Sequence, residues 1–282
     1  MNTIELLNEL RQRGINLARD GNDLRIRDSN RQLTPSLKKK LLEQKGDIIA
    51  LFNRLNGDAV EDPIPVAPRE RFMPLSFAQE RMWLLEQIEG FGNFRNMPAM
   101  VRLHGKLNVA ALEQAVGDLV ERHEVLRTRL ATVGGQGLQT IDSSYRVELP
   151  VDDVSGADSE EEIEARVRRI VTRECSLPFD LTKGHPFRVR LIRLGDDDHV
   201  LVAVVHHIAA DGWSMSVLLR EVGTFYAANA AGFPAPLPPL AVQYADYAVW
   251  QRDWLSGERL ERRLGYWRER LSGAPTVLEL PA

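Results

Sequence analysis

The 282 residues predict an α/β protein built in two parts, a small helix–hairpin–helix unit followed by a larger α/β sandwich layer. Three observations carry that prediction. Apolar runs of strand length, such as Val200-Leu201-Val202-Ala203-Val204-Val205, alternate with stretches of helical periodicity beyond residue 73. The first 55 residues hold a complete pattern of their own. Between the two parts lies a proline-punctuated stretch with neither period.

In the first part, Ile4, Leu6, Leu7 and Leu10 fall at helical spacing, and Gly14 stops that helix. Two alternating segments, Ile15 to Arg19 and Asp23 to Arg27, flank Asp20-Gly21-Asn22, which is a hairpin signal. Thr34-Pro35 supplies an N-cap and a first-turn proline for a helix carrying Leu37, Leu41 and Leu42, and Gly46-Asp47 restarts a last helix through Ile48, Ile49, Leu51 and Phe52. Residues 1–55 therefore read as one domain. Residues 56–72, with Pro63, Pro65 and Pro68, read as a semi-stiff linker, and residues 73–282 as the second domain.

The second part opens with a capping signal, Ser76 with Gln79 three residues on, ahead of a buried stripe at Phe77, Met82, Trp83 and Leu85. A strand follows at 99–103, a helix from Asn108 to Arg122, and a strand entering a Gly134-Gly135 turn. Strands near 146–151 and 187–194 flank a charged helix from Ser159 to about Glu174, and Asp196-Asp197-Asp198 reads as a solvated turn before the strand 199–205. A helix from Ser214, a proline-rich stretch from Pro234 to Pro239, and helices bearing Tyr244-Ala245-Asp246-Tyr247-Ala248-Val249-Trp250 and Tyr266-Trp267 follow, with these late aromatics expected in the core.

Composition narrows the function. At 44% apolar and 27% charged residues the chain can bury a real core, and no apolar run approaches the roughly 18 residues of a spanning helix. Met1-Asn2-Thr3-Ile4-Glu5 lacks a signal-peptide pattern, so a cytoplasmic protein with no membrane or nucleic-acid partner is expected. Cys175 is the only cysteine, which excludes an internal disulfide or a cysteine metal cluster. Through Leu55 there are eleven Lys and Arg against seven Asp and Glu, a net of +4, leaving −8 for the rest of a chain whose total is −4. A basic head of this kind suits an acidic partner.

Chemistry concentrates at His206-His207-Ile208-Ala209-Ala210-Asp211-Gly212, where the apolar strand ends. An imidazole there can take a proton from an attacking amine or hydroxyl, or it can be a satisfied core histidine. Neighbouring strand residues point to opposite faces, so His206 and His207 cannot chelate one ion together, and no metal site is expected. By the same alternation, if His207 faces a site, His206 packs behind it.

These motifs carry a resemblance. Ser76-Phe77-Ala78-Gln79-Glu80-Arg81-Met82-Trp83, Arg122-His123-Glu124-Val125-Leu126-Arg127-Thr128, the His206–Gly212 stretch and Tyr244–Trp250 occur in the order of four blocks of nonribosomal peptide synthetase condensation domains. Residues 1–55 resemble the TubC-type N-terminal docking domain of the same synthetases through Leu6-Leu7-Asn8-Glu9-Leu10, the hairpin Leu17 to Arg27, and Leu33-Thr34-Pro35-Ser36-Leu37.

The resemblance implies a chloramphenicol-acetyltransferase-like α/β sandwich lobe with His207 as the catalytic residue. His206 and Gly212 would support it, and Asp211 would pair with Arg127 to hold the loop, Gly212 keeping the space above the imidazole clear or offering an N–H. His123 is expected to be structural. It further implies that the hairpin, through Leu24, Arg25, Ile26 and Arg27, receives the C-terminal tail of an upstream synthetase. Amide formation would join thioesters on peptidyl and aminoacyl carrier domains, whose phosphopantetheine arms arrive with the carriers, so no cofactor is expected on this chain. Trp213 and the first block resemble the subtype joining L-configured donor and acceptor. Epimerisation domains share the His-His-x-x-x-Asp-Gly pattern, though the docking unit and first block speak against them, and a non-catalytic docking platform is the third reading. The family's domain continues with a second lobe, so these residues are expected to form a docking domain plus one lobe, inactive alone.

Overall fold

The computed structural model describes residues 3–13, 15–20, 23–28, 33–55, 63–90, 92–275 and 277, with some positions of the first unit described by backbone alone. The chain divides into two compact units, Met1–Pro63 and Ile64–Ala282.

The first unit runs α1 (Thr3–Gln12), β1 (Ile15–Asp20), β2 (Asp23–Asp28), α2 (Pro35–Glu43), α3 (Lys45–Leu55). Thr34 caps α2 by accepting the Leu37 N–H at 3.3 Å, with Pro35 at the first helical position where its missing N–H costs nothing. Leu6, Leu10, Ile15, Leu37, Leu41 and Ile48 are sealed into one core, with Leu24 packed against it, whereas Leu42 is exposed. The hairpin is antiparallel from Ile15↔Asp28 to Asp20↔Asp23, placing Arg25 and Arg27 opposite Ala18 and Asn16. The turn residues Gly21 and Asn22, and the side chains of Arg25 and Arg27, lie outside the described residues.

The second unit contains β3 (Met73–Pro74), α4 (Phe77–Glu89), β4 (Asn96–His104), α5 (Val109–Arg122), β5 (Thr128–Val133), β6 (Gln136–Ile141), β7 (Val151–Asp153), α6 (Glu160–Ser176), β8 (Phe187–Gly195), β9 (Asp198–His206), α7 (Gly212–Ala231), α8 (Tyr244–Trp254) and α9 (Gly257–Leu271). Its main sheet has the order β4-β9-β8-β7, antiparallel except for β7 on β8, and a smaller sheet has the order β3-β6-β5.

Period-two alternation along β9 sorts the core into two layers. Leu201 and Val205 join a cluster with Leu112, Val116 and Leu119 of α5 and Leu218 of α7. Val202 and Val204 join Trp83, Phe179 and Leu181, against which Ile163, Val167, Ile170 and Val171 of α6 pack. A central strand read on both faces needs apolar residues throughout, which is why this run is nearly unbroken. The small sheet closes on α4 at Gly137, where any Cβ would stand 2.6 Å from the Trp83 ring.

Five expectations change, the first being that Leu85, expected in the buried stripe with Trp83, is exposed. The strand expected at 146–151 is three residues long and begins at Val151, although Val147 and Leu149 are buried. Pro150 has no N–H with which to extend the ladder, and only its carbonyl is used, by Leu191 N–H at 2.9 Å. The last part of the extended stretch is fastened to the second unit. Ala67 N–H and the Arg69 guanidinium both bond Asp246, whose side chain is 1% exposed, and Arg69 also bonds Glu124. Helix α7 begins two residues early, at Gly212. Tyr266 and Trp267 are not core residues: they stack edge-to-face on each other with 60% and 54% exposed, and no described residue of α9 is buried. Tyr244, Tyr247, Trp250 and Trp254 of α8 instead form a continuous aromatic stripe.

Candidate functional site

The site begins where β9 loses its partner. His206 N–H bonds the Pro186 carbonyl at 2.9 Å, but Pro186 cannot return a hydrogen bond. The His206 carbonyl therefore takes the Ala209 N–H at 2.9 Å, and the chain turns. On the other side His207 N–H is held by the Arg95 carbonyl, also at 2.9 Å. The two histidines are thus fixed at the backbone by both neighbouring segments of the sheet.

Their rings take opposite surroundings. His206 is 1% exposed. Its Nδ1 accepts the Ile208 N–H at 3.2 Å, so Nε2 carries the proton and donates to Glu86 Oε1 at 3.2 Å. Glu86 also receives Arg95 Nη1 at 2.7 Å, and Phe179 meets the His206 ring edge-on at 5.9 Å. Burial lowers the His206 pKa from its ordinary value, and the opposing pull of Glu86 does not restore it. The ring is a neutral strut between β9 and α4.

His207 is exposed. Its Nδ1 lies 2.7 Å from the Ala210 carbonyl, an oxygen that can only accept, so Nδ1 bears the proton and Nε2 presents its lone pair. No hydrogen bond occupies that Nε2 among the described residues. The ring is oriented by the chain's own turn, and the resulting tautomer is the one a base or acceptor requires.

The expected pair between Asp211 and Arg127 does not form. Asp211 caps α7, accepting Ser214 N–H at 2.8 Å and Ser214 Oγ–H at 2.7 Å, and these two bonds lower its carboxyl pKa. A short side chain satisfies orphan N–H groups three residues away more readily than it reaches a distant arginine. Arg127, 9% exposed, directs Nη1 and Nη2 to the carbonyls of Asp142 and Glu121, and its buried Nε has no hydrogen-bond partner among the described residues. Gly212 opens α7, and a Cβ there would meet nothing within 4 Å, so the chain itself does not demand a glycine at this position.

Around the turn the four sequence blocks are tied together. Ser76 Oγ meets the Tyr244 hydroxyl at 3.0 Å, Phe77 N–H bonds Gln251 at 2.9 Å, and Gln243 bonds the Arg122 carbonyl at 2.9 Å. His123 Nε2 and Arg122 share the buried Glu221 of α7 at 2.6 and 3.1 Å. The third block reaches α4, which carries the first, through His206 and Glu86. Asp142 collects Arg129 at 2.7 and 2.8 Å and His185 Nε2 at 2.7 Å. Asp142, His185, Glu86 and Arg95 escaped the sequence reading because each stands outside the four blocks. One signal was present for His185: folding the strands about Asp196-Asp197 brings it opposite His207. Two shallow cavities, of about 520 Å³ beside Arg220 and Phe233 and about 350 Å³ beside Asp152 and Arg169, do not include His207.

Residues 69–282 match the family description "Condensation domain", and residues 4–53 match "TubC N-terminal docking domain". The chain belongs to the condensation-domain family. It is 43% identical over 76% of its length to malpinin synthetase of Mortierella alpina, and covers 3% of that protein. Among solved structures, the EpoB cyclization-docking bidomain of Sorangium cellulosum matches 99% of the chain at 26% identity and a TM-score of 0.77, with 54% of that bidomain covered. The X-domain in its complex with OxyB from teicoplanin biosynthesis matches 80% at 34% identity and a TM-score of 0.70, with 49% covered. The chain thus spans about half the length of these solved relatives. This condensation domain has the chloramphenicol-acetyltransferase-like fold of its family, and no described helix is long and apolar enough to cross a membrane.

Proposed function

We propose that this chain docks to an upstream peptide synthetase through its first unit and contributes the His207 lobe of a condensation site. The observation that carries the reading is a single imidazole fixed at a strand end with Nε2 open and Nδ1–H tied to its own loop. The α-amino group of a carrier-bound aminoacyl thioester attacks the thioester carbonyl of a carrier-bound peptidyl group. A carbon–nitrogen bond forms, the carbon–sulfur bond breaks, and the proton lost by nitrogen balances the thiolate released. His207 Nε2 accepts a hydrogen bond from that amine, which orients it and receives its proton. Such a group contributes roughly 10²–10⁴-fold, and orientation of two bound reactants can add up to about 7–11 kcal/mol.

The substrates arrive on phosphopantetheine arms of the carriers and meet between this lobe and a second one, so the 282 residues by themselves are expected to turn over nothing. Docking uses the hairpin: Ile26 is exposed, Leu24 packs against the core, and Arg25 and Arg27 hold the alternate positions of the same strand, bringing positive charge to the edge offered to an acidic tail. The His207→Ala variant of the synthetase that carries this chain tests the site, because unchanged product formation overturns it. Titrating the chain with an acidic tail peptide tests the docking. Binding that survives Arg25→Glu with Arg27→Glu overturns the charge-guided mode.

A second reading is a non-catalytic platform, favoured by the likeness to an X-domain solved in complex with another protein. The same His207→Ala measurement separates the two.

A further inference from the structure

At the open end of the ladder between β8 and β9, two more imidazole-bearing positions come into register. Phe187 pairs with Val205, and His206 N–H reaches the Pro186 carbonyl, so the next residues in register are His185 and His207. Since 206 and 186 form the hydrogen-bonded pair on this side, 185 and 207 form the non-hydrogen-bonded kind, in which side chains come closest. Phe187 and Val205 share the core layer beneath α5 and α7. By alternation His185 and His207 continue that same face beyond the end of the sheet. Tyr145, packed against the same layer, stacks on the His185 ring at 3.8 Å between centroids.

His185 is also held in place by a carboxylate. Its Nε2 lies 2.7 Å from Asp142 Oδ2, a carboxylate fixed by both nitrogens of the Arg129 fork, while Arg127 holds the Asp142 carbonyl. Nε2 therefore donates, and in the neutral ring Nδ1 is an acceptor with no partner among the described residues. The arrangement repeats that of His207 with the nitrogens exchanged: in each ring one N–H is tied to an oxygen of the protein and the other nitrogen offers a lone pair. Its side chain is 11% exposed, so the ring is walled in on most sides and is not a freely solvated surface group.

We propose that His185, buttressed by Asp142, is a second imidazole of the condensation site, accepting a hydrogen bond from the incoming amine alongside His207. An amine approaching a thioester carries two N–H bonds, and two acceptors on one face fix both, aligning the nitrogen lone pair with the carbonyl carbon. The proposal rests on the reading of His207 given above and adds a residue that lies in none of the four sequence blocks. The charged and titratable groups that contact the ring or its carboxylate partner are Asp142, Arg129, Arg127 and Tyr145, and the register argument adds His207.

Two measurements test it. In the wild-type chain, with its six histidines labelled, nuclear Overhauser contacts should join the ring protons of His185 and His207; their absence overturns the proposal whatever any variant does. In the synthetase that carries this chain, His185→Phe keeps the stacking on Tyr145 and removes both nitrogens. The KM for the loaded acceptor carrier should rise at least tenfold with the KM for the donor carrier unchanged, and His185→Gln, which keeps a donor for Asp142 and an acceptor, should recover part of the loss. A merely structural role would lower the active fraction and so kcat alone, which counts against the proposal. If His207→Ala abolishes turnover while His185→Phe leaves every constant unchanged, His185 is eliminated and the role of His207 stands. If His207→Ala has no effect, the reading beneath both is wrong.

Discussion

His206 Nε2 donates to Glu86 Oε1 across 3.2 Å inside the core, with each side chain 1% exposed, and Arg95 closes the group from the other side. One residue further on, His207 stands in solvent. Breaking the buried group by Arg95→Ala leaves Glu86 without its cation, and should cost about 3–5 kcal/mol in urea unfolding of the second unit. A loss below about 1 kcal/mol would show that the group is not needed for the fold.

His207→Ala should behave in the opposite way. An exposed side chain with one local bond changes stability within about 0.5 kcal/mol, so its midpoint in urea should match the wild type while product formation collapses. A matching loss of stability would make His207 a core residue.

The His206 ring gives the fold a pH dependence of defined sign. Its folded pKa lies below the ordinary value because burial disfavours the charged form, outweighing Glu86, so the unfolded chain binds the proton more readily. The contribution is fully present above about pH 6.5 and is lost as pH falls from there through the lower folded value. Comparing wild type with His206→Asn from neutral pH down into the acid range, the stability gap should narrow toward acid. A gap that widens contradicts this.

Asp211 is a cap and not half of a buried ion pair. Asp211→Ala should therefore cost about 1 kcal/mol, the typical loss for a helix N-cap, and Asp211→Ser should recover most of it. A loss of about 3–5 kcal/mol, as for a broken buried pair, would restore the pairing with Arg127.

Arg69 fastens the extended stretch to a nearly inaccessible carboxylate. Burial pushes the Asp246 carboxyl up, but Arg69 and the N–H groups of Gln243 and Ala67 together hold it below its ordinary value. Arg69→Ala should cost about 1–3 kcal/mol by leaving that carboxylate short of its partner, and limited proteolysis should then cut near residues 64–72. Unchanged resistance would show that the stretch is held by other contacts.

Much of the fold was legible along the chain because the signals are local. Caps at Thr34, Ser76, Asn108 and Ser159 start helices where their side chains accept N–H groups three residues on. The alternation in β9 separates His206 from His207 with no knowledge of the rest of the sheet. The late aromatics misled because amphipathic spacing marks an apolar face without saying whether anything covers it, as Trp267 illustrates. The pairing of Asp211 with Arg127 came from resemblance, and lost to a competitor three residues away.

Chain order and side-chain period thus determine that His207 directly follows a buried strand and faces away from His206, since the two-residue repeat is a property of the backbone itself. Which groups surround those rings is a matter of register and packing between distant segments. Glu86 lies 120 residues from His206, and Asp142 lies 43 from His185. Only the folded sheet brings them within hydrogen-bond reach, because those contacts are fixed by the burial of both faces of β9 and not by any local preference of the residues that make them.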